Sequence, residues 1–139
     1  RSKRGEGDAS NQKRMDNVDS LLVMLNKIEQ EQLFGDSDVL LVGDYNCYAQ
    51  EQPIQTLVQA GYEDMLVRFD STSYSYVYHS EAGCLDRVFA SPTMAPQVQQ
   101  VVVYHLNADY FYSRGYKRGL DNTMFRYADH DPILISIKL

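Results

Sequence analysis

The sequence predicts an α/β fold, one mixed β-sheet with helices on one face. Three observations carry that expectation. A helical period runs from Asn11 to Gln32, a short unbroken apolar run occupies Val39–Val42, and strand-like apolar runs return at 84–90, 98–106 and 133–139. A helix followed by strands, with its apolar face laid on the sheet, is the arrangement that buries both.

Residues 1 to about 10 are polar, carry both charge signs and read as a loop. From there Met15, Val18, Leu21, Leu22, Leu25, Ile28 and Leu33 recur at steps of three and four, one face of an amphipathic helix. Ser10 or Asn11 is placed to cap it, and Gly35 ends it. Val39–Val42 is too short for a helix and reads as a strand buried on both faces. Gly43 stops the strand, and Asp44 and Asn46 then point the same way from its carboxyl end. Ligands of open α/β sheets bind at such ends. A plain turn is the competing reading of Gly43-Asp44-Tyr45-Asn46.

Pro53 suits a first helical position, and Ile54, Leu57, Val58 and a C-capping Gly61 outline a helix over 53–60. Tyr62 to Phe69 fits a short strand or a loop. Ser71 to His79 alternates in part, with Tyr74, Tyr76 and Tyr78 on one side, and reads as a strand whose tyrosines pack in the sheet. Glu81-Ala82-Gly83 supplies a turn and Cys84–Ala90 the next strand, so the two strands form a hairpin. Ser91-Pro92 breaks it. Val98–Leu106 is a further strand, Asn107–Tyr127 a long ordered loop without a clean period, and Ile133–Leu139 a closing strand.

The chain has 139 residues, one domain's worth, and its 44% hydrophobic and 23% charged content describe an ordinary globular protein. A net charge of −6 argues against holding nucleic acid by bulk electrostatics. An enzyme that meets phosphate through a bound cation has no need of a basic surface. No stretch is long and apolar enough for a membrane span, and no signal peptide is visible. Opening on Arg1-Ser2-Lys3-Arg4 without Met, the chain reads as a processed or trimmed piece. Cys47 and Cys84 permit either one disulfide or two free buried thiols.

An acid inside an apolar run is costly unless it is paired or working. Here there are three such places: Asp44 after Val39–Val42, Asp86 within Gly83–Ser91, and Asp129 with His130 just before Ile133–Ile137. Taken in order, Gly-Asp-Tyr-Asn, Leu-Asp-Arg and Asp-His-Asp-Pro resemble the endonuclease/exonuclease/phosphatase superfamily, which has the DNase I-like fold. Segments 44–54, 74–78 and 106–109 are similar to secreted bacterial nucleases. The resemblance implies that residues 1–139 are the C-terminal portion of the domain, the C-terminal half of a four-layer sandwich. It also implies that the first-half Asn, the metal-binding Glu and a His-bearing strand end lie outside the chain. Glu6, Glu29, Glu31, Glu51, Glu63 and Glu81 are its only glutamates, and none follows an apolar strand.

The roles the resemblance implies are specific. Asp44 positions or deprotonates the attacking water, Asn46 holds a phosphate oxygen, and Asp86 orients and charges His130 for acid–base work. Asp129 helps bind metal, with Mg²⁺ expected and Ca²⁺ or Mn²⁺ as alternatives, since the donors are hard oxygens and neither Cys is spaced for zinc. Asp131, before Pro132, reads as a turn residue. Arg114, Lys117 and Arg118, interleaved with Tyr110, Phe111, Tyr112 and Tyr116, suit either a grip on a phosphate backbone or a solvated loop. Arg1, Lys3, Arg4, Lys13 and Arg14 form a second basic patch. Asn107 and Asp109 have no assigned role.

The expected parent is a metal-dependent, extracellular or cell-envelope nuclease that cleaves DNA with little sequence preference. The fragment alone would be inactive without the metal Glu. Rival readings are a phosphatase or sphingomyelinase-type phosphohydrolase of the same superfamily, or a non-catalytic module. Half a sandwich leaves one sheet face uncovered, so self-association, or pairing with an N-terminal half, is expected.

Overall fold

The computed structural model describes residues 10–31, 35–110 and 123–138. Helix α1 spans Asn11–Gln30 and lays the predicted face inward: Val18 is buried, and Leu21 and Leu22 pack against a core of Cys47, Ile54, Leu57 and Phe89. Ser10 stands at the N-cap, yet its side chain makes no capping bond. Arg14 is a correction to the second basic patch. It is 5% exposed on the apolar face of α1, where Nη2 pairs with Glu51 at 3.4 Å. Lys13 is exposed, whereas Arg1, Lys3, Arg4 and Leu33 lie outside the described residues.

Strand β1 (Leu40–Asp44) pairs antiparallel with β5 (Asp86–Ala90), whose other edge carries the two-residue β2 (Glu63–Asp64). The central strand is therefore β5, with Val88, Phe89 and Ala90 fully buried. As an edge strand, β1 is not buried on both faces: Leu41 meets the α1 core, but Val42 is 53% exposed. The other ladders pair β3 (Tyr76–Tyr78) with β4 (Glu81–Gly83) and β6 (Val98–Val103) with β7 (Ile133–Ile137). The chain is thus the expected combination of helices and sheet. Among the described residues its hydrogen bonding divides into three separate sheets rather than one, and every described pairing is antiparallel.

Helix α2 (Gln52–Gln59) follows, with Pro53 in its first turn as expected. The ambiguous stretch after Gly61 is β2 and then a short helix, α3 (Met65–Asp70). Six residues are too few to show a period. What starts α3 is Asp64, whose Oδ1 accepts from the backbone N–H of Leu66 at 3.0 Å and of Val67 at 3.3 Å. Its Oδ2 accepts from Arg87 Nη1 at 2.9 Å, with both side chains buried. Beneath them Met65, Leu66, Val88, Val98, Val101 and Val103 form a second core, which Leu40, Ile133 and Ile135 adjoin. Removing one partner of a buried pair strands the other charge, so Asp64→Ala should destabilise the fold by about 3–5 kcal/mol. Thermal melting should register this as a fall of about 10–20 °C; a shift below a few degrees would show that the pair is dispensable.

The hairpin differs from expectation. Its turn is His79-Ser80, both with positive φ (51° and 66°), and Glu81–Gly83 is a strand. Neither residue advertises a left-handed turn as Asn-Gly does. Ser71–Ser75 is not strand, and the strand after Cys84 pairs with β1 and β2 rather than with the 71–79 segment. Residues 104–106 are likewise not strand. Cys47 and Cys84 are both buried thiols with no disulfide between them, as the two-thiol reading has it. Among the described residues no helix is long and apolar enough to cross a membrane.

Candidate active site

Register brings the first two acids together. The β1–β5 ladder ends with Asp44 directly opposite Asp86. Side chains alternate along the chain leaving β1, so Tyr45 turns inward onto Phe89 (ring centroids 5.5 Å, edge-on) while Asp44 stays exposed. Burial pushes the Tyr45 phenol up to about 12. Asn46 sits at φ 51°, a left-handed conformation that Asn tolerates, and curls back on Asp44. Its backbone N–H donates to Asp44 Oδ1 and its Nδ2 to Oδ2, each at 2.7 Å. Both lone-pair faces of Asp44 are thereby oriented by one neighbour.

His130 arrives from the other side through an isolated antiparallel bridge to Tyr76. Its Nδ1 lies 2.6 Å from Asp86 Oδ2, and the same oxygen accepts from Ser75 Oγ at 2.5 Å. Ser75 is fully buried and binds the site together: its N–H donates to the Gly83 carbonyl, and its own carbonyl accepts from the Asp131 N–H. Sequence reasoning missed Ser75, since a serine between two tyrosines carries no local signal.

Ligand atoms of Asp44, Asp86 and His130 lie within 4.8 Å of one another. Asp129 is not one of the three. It is half-buried, makes no hydrogen bond or ion pair among the described residues, and its charge reaches the His130 ring. Carboxylate oxygens and an imidazole, with no thiol in the cluster, fit a hard divalent cation.

The Asp86 hydrogen bond raises the His130 pKa above its ordinary 6.5; burial opposes this, and the charges of Asp86, Asp44 and Asp129 add to it. Because the folded value is the higher one, the imidazolium's contribution to stability is fully present below 6.5. It is lost as pH rises through the folded value. An NMR titration of the metal-free protein should therefore place the His130 midpoint above 6.5, and Asp86→Asn should bring it down; equal midpoints would mean that the hydrogen bond does not govern the ring.

The link from His130 to β7 is held from within. Asp131 has a fully buried carboxylate, and its Oδ1 accepts from the N–H groups of Leu106, Asn107 and Ala108 at 3.0, 2.7 and 2.9 Å. Oδ2 meets His105 Nδ1 at 2.9 Å. Asn107 then donates from Nδ2 to the His130 carbonyl at 2.8 Å and accepts from the Tyr127 N–H. This is the role that sequence could not assign to Asn107, while Asp109 accepts from the Tyr74 hydroxyl at 2.8 Å. Arg114, Lys117 and Arg118 lie outside the described residues.

Helices set against antiparallel ladders are consistent with the DNase I-like fold. The chain belongs to the Endonuclease/Exonuclease/phosphatase family, whose model matches residues 16–130. Among solved structures it is similar to a 3′ phosphatase, NExo, from Neisseria bound to a product DNA hairpin (16% identity over 83% of this chain and 51% of that one, TM-score 0.57). It is also similar to a mannosyl-6-phosphatase from Bacteroides thetaiotaomicron (18% identity, 98% of this chain and 48% of that one, TM-score 0.62). A family protein from the same organism matches at 19% identity over 95% of this chain and 46% of that one, TM-score 0.58. The chain thus spans about half the length of these structures. No curated protein matches it.

Proposed function

We propose that this chain carries the aspartate–histidine half of a metal-dependent phosphodiesterase site, and that the whole protein is a nuclease hydrolysing DNA with little sequence preference. The observation that carries this is the 2.6 Å contact between Asp86 and His130, with Asp44 in the same cluster. Nδ1 donates to Asp86, so Nε2 is the nitrogen left to hold a proton over the reacting phosphate. The raised pKa lets the ring keep that proton to a higher pH than an ordinary imidazole would. Asp44, aligned by Asn46, takes the proton of the attacking water, and the second N–H of the Asn46 amide, the first being given to Asp44, is the donor for a phosphate oxygen. Asp129, with a first-half carboxylate, would hold Mg²⁺, or Ca²⁺ or Mn²⁺ in its place, with Asp44 and Asp86 beside it. Bound by these residues, such an ion would supply polarisation of the phosphoryl oxygens and charge stabilisation of the leaving oxygen.

On this reading the 139-residue piece alone is inactive, and it pairs with its other half or with itself through apolar side chains its strands leave open. Val42, Leu134 and Ile137 are 53%, 54% and 38% exposed. Sedimentation of the isolated chain should show self-association or dye-binding apolar surface; a compact monomer with neither would count against it. An extracellular or cell-envelope setting rests on the likeness of segments 44–54 and 106–109 to secreted nucleases. Arg114, Lys117 and Arg118 remain proposed backbone contacts.

The test is to give the full-length protein DNA, RNA, sphingomyelin vesicles and inositol phosphates, with Mg²⁺ and with EDTA. DNA cleavage that EDTA abolishes and Mg²⁺ restores is expected. Cleavage of lipid alone, or DNA cleavage undiminished by EDTA, would defeat the proposal. A phosphomonoesterase is the second reading, favoured by the two similar structures that are phosphatases; phosphate release from ends without internal cleavage would decide for it.

A further inference from the structure

We infer that Tyr76 and Tyr78 form a stacking ladder that receives the base next to the scissile phosphate, a specificity element resting on the nuclease reading above. The ladder follows from strand geometry. The antiparallel bridge makes Tyr76 the cross-strand neighbour of His130, and their ring centroids lie 4.7 Å apart. A period of two then puts Tyr78 on the same face, its ring nearly parallel to that of Tyr76 (10°) with centroids 6.2 Å apart. His79, held in a left-handed turn conformation, brings its ring within 4.2 Å of Tyr78. Ring faces therefore run from the histidine of the site outward. Tyr78 is 60% exposed, which packing within the sheet does not explain.

Chemistry selects the occupant. Two acids stand by the ladder: Glu81 lies opposite Tyr78 in the β3–β4 register, and the charge of Asp129 reaches the Tyr76 phenol, opposed in smaller measure by Arg126. A multiply phosphorylated sugar or inositol would be repelled here, whereas a flat uncharged base would stack. Stacking serves every base alike, because each has a π-face, and so matches a nuclease with little sequence preference. Tyr74 takes no part, since it is turned away to stack on His105 (4.3 Å) and donate to Asp109.

The test uses the full-length protein and two single-stranded oligodeoxynucleotides, each with one cleavable phosphodiester. In one, thymidines flank that bond; in the other, abasic tetrahydrofuran residues do. The ratio of kcat/KM between natural and abasic substrates should be about ten or more in the wild-type protein, fall toward one in Tyr78→Ala, and survive in Tyr78→Phe. Tyr78 is exposed on a hairpin, so its truncation spares the cores. A ratio equal in wild type and Tyr78→Ala would overturn the ladder while leaving the nuclease reading intact. Failure of the wild-type protein to cut either oligonucleotide would overturn both.

Discussion

His130→Ala in the full-length protein should lower kcat on the order of 10³-fold while the melting temperature moves by only a few degrees. The ring is part-exposed and its environment is polar, so truncation opens no apolar cavity. Asp86 would keep the Ser75 hydroxyl as a donor at 2.5 Å and solvent as a second partner, so its charge would not be stranded. Catalysis has no such substitute: the imidazole is the one group in the cluster that can carry a positive charge, and the acids around it favour that charge. Asp86→Asn should lose most of the same activity with the ring still in place, because the neutral amide no longer holds the imidazolium. Single-turnover kinetics beside circular dichroism melting separates chemistry from folding. Activity of His130→Ala within tenfold of wild type would reduce the histidine to a structural residue.

The second large effect lies one residue further on. Asp131→Ala should cost about 4 kcal/mol of stability and most of the activity, because three backbone N–H groups lose a shared acceptor at once. Asn107 is fixed by one of those bonds, and Asn107 in turn holds the His130 carbonyl. Loosening the 106–108 turn therefore frees the histidine's backbone. Asp131→Asn keeps the shape and one carbonyl oxygen, so its loss should be smaller. Urea denaturation checks the first effect and kcat the second; a stability loss below about 1 kcal/mol would show that water replaces the carboxylate without penalty.

Asp131 also marks the boundary of what could be read beforehand. Beside Pro132 it reads as a turn acid, whereas it lies in the short link between the His130 bridge and β7, which is not a turn. That it accepts from residues 23 to 25 positions earlier depends on where the chain returns, which no short window contains. Arg14 failed similarly: charge and position put it in a surface patch, whereas the helix face it shares with Val18 carries it inside to Glu51. Helix α3 was hidden because it is short and its start is an aspartate whose second oxygen serves Arg87. By contrast α1 and α2 were legible, since amphipathic spacing and an N-terminal proline act within a few residues.

By itself the sequence determined helices α1 and α2 and the identity of the acids and histidine, including their family pattern, because those are local words in a fixed order. Only the tertiary structure decided that Asp44 faces Asp86, that His130 closes on the second of them, and that Ser75 and Asn107 hold the group in place. The physical reason is register: a ladder shifted by one residue would turn every one of these side chains to the opposite face.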